Sequence, residues 1–337
     1  MLAVSACLVF FLLLLIPFIP GIIELRRPRD AAPLFIDMEY TKDPRYFGKS
    51  FKSVIKNYAR SDVLHPELKN ISLSRREEIQ VSPSRTVLAG ENITHILCIS
   101  GDLSSEEKAY FHKEIYVTGN VILGSKNVVK ALASDKTILF NSYTTVLRWA
   151  DAEQSIETRE GCDLGISISC GGEIKIARAC KFQRLYGFPI VTSPLNSGGR
   201  GQSLDLDSMT KIRRDAAEKD FTLPPASRIE KDLIVKNNLR IAKDCVITGN
   251  IKTYRGLTID ERVTVNGNIF SEENITVGEH TVIDGNVFSQ GRVILLGNVQ
   301  IGQAGKVKSV IGKSSVILGR NVRVYGYILT EGSGMVW

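Results

Sequence analysis

Aromatic residues are scarce in this chain, at 7% of 337 residues, and only two are tryptophan. Chemistry-bearing side chains are sparse as well. The histidines are His65, His95, His112 and His280, and no CxxC pair occurs among Cys7, Cys98, Cys162, Cys170, Cys180 and Cys245. That spacing argues against a zinc site or a disulfide framework, and the cysteines read as reduced, buried small hydrophobes. No P-loop, dinucleotide fingerprint or nucleophile elbow appears, and no close carboxylate pair suggests glycosidase work. The net charge of +7 is mild and its basic residues are scattered. A nucleic-acid footprint needs a concentrated basic stripe with stacking aromatics, so that class is set aside. What the chain has in quantity is glycine, 28 residues, and β-branched types. That mixture favours strands and turns over helix bundles.

Leu2 to Ile23 carries no charge. About 20 apolar residues are what a bilayer span requires, and a cleaved signal would want a basic start and a shorter core. The stretch therefore reads as an uncleaved anchor within residues 1–25, with Pro17 and Pro20 kinking or ending its helix. Arg26, Arg27 and Arg29 flank the span on its C-terminal side only, which keeps the bulk of the chain in the cytoplasm. Unpaired cysteines suit that reducing compartment, and the sequons at Asn70, Asn92 and Asn274 carry no meaning there. A juxtamembrane segment, 26–81, follows. Within it, Asp43 and Pro44 open an amphipathic helix over 44–59, with Phe47, Phe51, Val54, Ile55 and Tyr58 at helical spacing. Two partners fit that helix: its own domain, or a membrane surface reached by Lys49, Lys52, Lys56 and Arg60.

The remainder repeats. "VNGNIFS" and "IDGNVFS" place Gly267 and Gly285 eighteen residues apart. Aligned on that pair, Leu239, Leu257 and Ile275 form one column; Ile241, Ile259 and Val277 a second; Ile247, Val265 and Ile283 a third; Leu233, Ile251, Ile269 and Val287 a fourth. Hydrophobe-x-hydrophobe triplets are short strands with one face inward. Three per repeat describe one coil of a parallel β-helix, a triangular β-solenoid of about 18 residues per coil, in which stacked coils share a core no single coil could bury. Gly101, Gly119, Gly249, Gly267, Gly285 and Gly297 are expected at corners, where glycine accepts positive φ. Gly285 to Gly297 spans only 12 residues, which suggests a skipped side, and Ile301 to Ser309 reads as an insertion. The first half repeats less plainly, with Ile138, Ile156 and Ile174 again 18 apart. The expected organisation is a first block at 82–192, a Gly-, Ser- and charge-rich linker at 193–227 and a second block at 228–337. "KFQRLYGFPI" and "RNVRVYGYIL" close the two blocks alike.

A solenoid ends in unpaired backbone and an exposed slice of core. Tyr325, Tyr327, Met335 and Trp337, with Tyr186 and Phe188 in the first block, are the candidate self-assembly or capping surface. They either close each block or meet a neighbour. Of the histidines only His280 lies in the regular array, directed to solvent. Asp260, Glu261, Glu272, Glu273 and Asp284 fall at strand ends as solvated faces. No catalytic residue, cofactor or metal is assigned.

With "ITGNIKT", "VNGNIFS" and "IDGNVFS" on one period, the chain resembles the bactofilins, bacterial polymer-forming cytoskeletal proteins. The resemblance covers Leu233 to about Thr330 well and Ile99 to Ile190 loosely. It implies a right-handed triangular β-helix that assembles end to end without nucleotide, at the inner face of the membrane, and scaffolds envelope or polysaccharide machinery. The anchor, the second block and the interruption depart from that pattern and favour a membrane-tethered scaffold over a free filament. Its expected partners are the membrane, other copies of itself and membrane-bound envelope proteins. The runner-up is a left-handed β-helix acyltransferase, for which "VGEHTV" and "LGRNVR" resemble hexapeptide repeats. An exported solenoid acting on polysaccharide is a third class and needs the opposite topology.

Overall fold

The computed structural model describes residues 43–58, 69–74, 77–193 and 220–337 and, in the first forty, residues 10 and 15–19. The proposed anchor therefore lies almost entirely outside the described residues. Among these, no helix is long and apolar enough to cross a membrane, and Ile16–Phe18 form a 3-10 turn around Pro17. Residues 44–337 make one compact unit.

That unit is an all-β parallel solenoid of about 13 turns with about 18 residues per turn. In the second block three ladders run side by side. One passes through Leu239–Ile241, Leu257–Ile259 and Ile275–Val277. Another passes through Val246–Ile247, Thr264–Val265 and Val282–Ile283. The last passes through Ile251–Thr253, Ile269–Ser271 and Val287–Ser289. All four hydrophobic columns read from the sequence stack as ladder partners, as in Leu239↔Leu257↔Ile275 and Leu233↔Ile251↔Ile269↔Val287. In the first block Ile138, Ile156 and Ile174 stack in the same way. The period-2 alternation sends these side chains inward, and one contiguous apolar core runs through both blocks. Where a polar side chain faces inward it is spent at a corner. Ser271 and Ser289 donate to the carbonyls of Arg255 and Glu273, and among the described residues no buried side-chain polar atom lacks a partner.

Two expectations are corrected. The repeated glycines do not sit at positive φ; in the second block the left-handed corner column is Ala226, Asp244, Arg262, His280, Asn298 and Asn321, one per coil at another corner. Glycine is needed because the chain passes directly over the previous coil: a Cβ on Gly267 would lie 2.0 Å from the Gly249 carbonyl oxygen, and one on Gly285 as close to that of Gly267. No side is skipped either. Val282 pairs with Gln300, a full 18-residue step, so Gly297 belongs to a different column from Gly285. The interruption is an insertion alone, since Val287 pairs with Val310. That step spans 23 residues, five more than the period.

The two blocks meet tail to tail. Lys181–Thr192, the last strand of the first block, pairs antiparallel with Arg323–Val336, the last strand of the second. The chain motifs that close the halves alike are thus each other's partners, with Gly187 opposite Gly326 and Tyr186 opposite Tyr327.

Candidate functional site

A terminal coil has a donor–acceptor row with no next coil to pair it. Here two such rows satisfy each other. Ala179 N–H donates to Val336 O (2.8 Å), Val336 N–H to Cys180 O (3.0 Å) and Thr192 N–H to Val322 O (3.0 Å). The Thr192 hydroxyl donates to Gly319 O at 2.7 Å and accepts from Val322 N–H at 2.8 Å. Aromatic rings dress the seam: Tyr186 and Tyr327 lie 6.3 Å apart, and Phe188 meets Tyr325 edge to face at 5.5 Å. Phe182 is buried against the backbone of Gly334, where a Cβ would fall 2.1 Å from its ring. Of the six candidate surface residues, Tyr186, Phe188, Tyr325 and Tyr327 close the blocks on one another. Met335 and Trp337 stay exposed at the rim.

Among the described residues the outer ends of the solenoid are consequently first coils. The second block begins inside the expected linker 193–227, since Phe221–Leu223 is already a ladder strand; it, Arg228–Ile229 and Leu233–Val235 each pair, among the described residues, only with the coil above. Phe221 and Ile234 are exposed, and Ile229, Leu233 and Val235 are only partly buried against the core. At the other end the antiparallel strand Lys69–Ser74 covers the edge of Glu77–Ser82.

The amphipathic helix, α1 (Tyr46–Tyr58), lies on its own first block. Ile55 is fully buried, Phe51 meets Trp149 edge to face at 5.7 Å, and both join a satellite cluster with Ile79, Val81, Ile96, Cys98 and Tyr116 on the outside of the sheet. A buried ion network fixes the contact. Arg45 donates from Nε and Nη2 to the two oxygens of Asp151, at 2.8 and 3.0 Å, and from Nη1 to Glu153 at 2.9 Å. Lys52 reaches Asp151 at 3.1 Å, Glu153 at 2.9 Å and the Ser134 carbonyl at 2.9 Å. Lys56 and the Tyr116 hydroxyl both meet Asp135. Gly48 lets the helix approach, since its Cβ would fall 2.3 Å from that of Asp151. Burial pushes the Glu153 carboxyl up, but hydrogen bonds from Arg45 and Lys52 outweigh it and hold the group at about 2. Two of the lysines that would have served a membrane surface are therefore engaged by this block. Phe47, Val54 and Tyr58 remain exposed on the helix. Sequence reasoning missed Asp135, Asp151 and Glu153. Their signal was present in "ASDKT" and "DAEQS", acids recurring beside outward-facing strand positions.

The remaining candidates stand apart from one another. His280 is exposed at a left-handed corner with Asn298 Nδ2 3.5 Å from its Nε2. His95 contacts Gln80 at 2.7 Å and His112 packs on Tyr110, while His65 lies outside the described residues. Asp260 pairs with Arg240, and Asp244 with Arg262, along the outer corners. Cys98, Cys162, Cys170, Cys180 and Cys245 are free and buried, and burial pushes the Cys98 and Cys170 thiols up to about 11. Among the described residues no cluster of three metal-ligating side chains occurs. Compared with known proteins, the chain matches no family model, no curated protein and no solved structure.

Proposed function

We propose that this chain is a membrane-tethered, non-catalytic scaffold of the bactofilin-like kind. It winds right-handed, is anchored through Leu2–Ile23 with the solenoid in the cytoplasm, and self-assembles or recruits envelope or polysaccharide-assembly proteins through its β-helix ends and faces. The observation that carries this reading is the disposition of the ends. Both tails are consumed in the internal seam, while the first coil of the second block offers backbone edges and partly buried Leu233 and Val235 with no coil beneath them among the described residues. Such an edge accepts another β edge.

The test is electron microscopy of the full chain in detergent and on vesicles. Rods of about 13 turns, each turn rising about 4.8 Å, should join at their ends into ordered arrays. Phe221→Asp, at an exposed position of the distal coil, should shorten them. Single rods at every density would overturn the reading. So would turnover of an acyl-CoA donor that His280→Ala abolishes.

A further inference from the structure

One outward column crosses the whole molecule. On the first block it runs Ile96, Glu114, Ala131, Trp149, Ser167 and Arg184. It passes the seam at Arg184↔Leu329 and continues through Ile311, Phe288, Phe270, Lys252 and Ile234. Over the first block this face carries α1. Over the second block it is an apolar stripe with no cover among the described residues. Phe270 and Phe288 stack at 5.2 Å with their planes 7° apart. Lys252 lays its ammonium over the rings of Tyr254 and Phe270, so its stem also belongs to the stripe.

We infer that this stripe is the contact between two copies of the chain, packed face to face with their rods antiparallel. Three observations select that occupant. The first is pitch: ridges repeating at about 4.8 Å interdigitate in register with another solenoid face. The second is steric. α1 is a layer about 10 Å thick on the same face of the first block. Parallel rods would set α1 on α1 and hold the stripes apart. Antiparallel rods overlapped on the second block send each first block past the other copy's distal coil.

The third is charge. Beside the stripe a corner column reads Lys236, Tyr254, Glu272, Gln290, Lys313 and Glu331, all exposed. Each, from Tyr254 on, is bonded through its N–H to the coil before. A two-fold axis between the Phe270 and Phe288 rungs, in the register that overlaps all six, brings this column against its own reverse. Lys236 then meets the partner's Glu331, Tyr254 the partner's Lys313, and Glu272 the partner's Gln290. Every rung finds an opposite charge, a cation–π partner or a hydrogen bond.

The footprint is small. Six rungs span about 24 Å and three outward columns about 14 Å, so each copy contributes about 340 Å², below the size of a standard specific interface. Pairing is therefore weak in dilute solution and gains from confinement in one membrane.

This inference deepens the scaffold reading by naming one of its faces. It is tested by sedimentation of the full chain in detergent over a concentration series. A reversible dimer is expected. Phe288→Glu should raise its dissociation constant at least about tenfold with circular dichroism unchanged. Lys236→Glu should weaken it, and adding Glu331→Lys should restore it, a rescue that a merely structural role would not give. Monomer throughout, or a dimer indifferent to these changes, overturns the inference. End-joined arrays without the dimer would sink this contact and leave the scaffold standing; dimers without arrays would do the reverse.

Discussion

At the scale of single residues, the constraint on glycine is steric and not dihedral. Gly267→Ala should cost about 2–3 kcal/mol, read from the midpoint of chemical unfolding, because the Gly249 carbonyl cannot retreat without opening the ladder. Gly90→Ala is the control for space: nothing lies within 4 Å of its Cβ position, so only its φ of +72° is penalised. The Gly-Asn recurrence was legible in the sequence, but its cause was not. Arg262 and His280 hold the left-handed corners with side chains that give no hint of it. Titration follows the same local logic. The carboxyl of Glu153 is depressed by Arg45 and Lys52, so its contribution is present above the ordinary glutamate value of about 4.3. That contribution is lost as pH falls toward about 2. Hydrogen exchange of α1 amides should accelerate across that window while the core strands stay protected.

Elements show where a pattern names a type but not a partner. A 3.6-residue period placed α1 correctly, yet it cannot say which apolar surface the stripe will meet. Lys52 looked like a solvated or lipid-facing cation because its acceptors, Asp151 and Glu153, lie about a hundred residues away. Asp151→Asn leaves Arg45 and Lys52 buried against a neutral group, a loss of about 3–5 kcal/mol for a broken buried pair. The expected readout is proteolysis within 44–58 and a changed Trp149 emission, since Phe51 leaves its ring. The insertion tests the repeat in the opposite direction. Removing 303–307 restores an 18-residue step and leaves Lys308 where it already stands, above Gly285, because Val287 keeps Val310 as its partner. The deletion should therefore keep the melting temperature within a few degrees in a thermal melt, since every ladder pair is retained.

For the whole molecule, the seam is the feature a repeat search reads and cannot orient. "LYGF" and "VYGY" were visible as echoes. Likeness carries no direction, though, and only the antiparallel register makes Gly187 and Gly326 opposite each other. Gly334→Val drives a branched side chain into the Phe182 ring. Calorimetry should then resolve two unfolding transitions where the wild-type core gives one, because the coils on either side no longer share an interior.

Among the described residues, a solenoid joined at its tails turns two first coils outward, and they are not alike: Lys69–Ser74 straps one and leaves the other bare. Polarity in a fibre of such units is then decided by which coil meets which. Bare to bare alternating with strapped to strapped gives a track without heading; bare to strapped gives one with a plus and a minus direction.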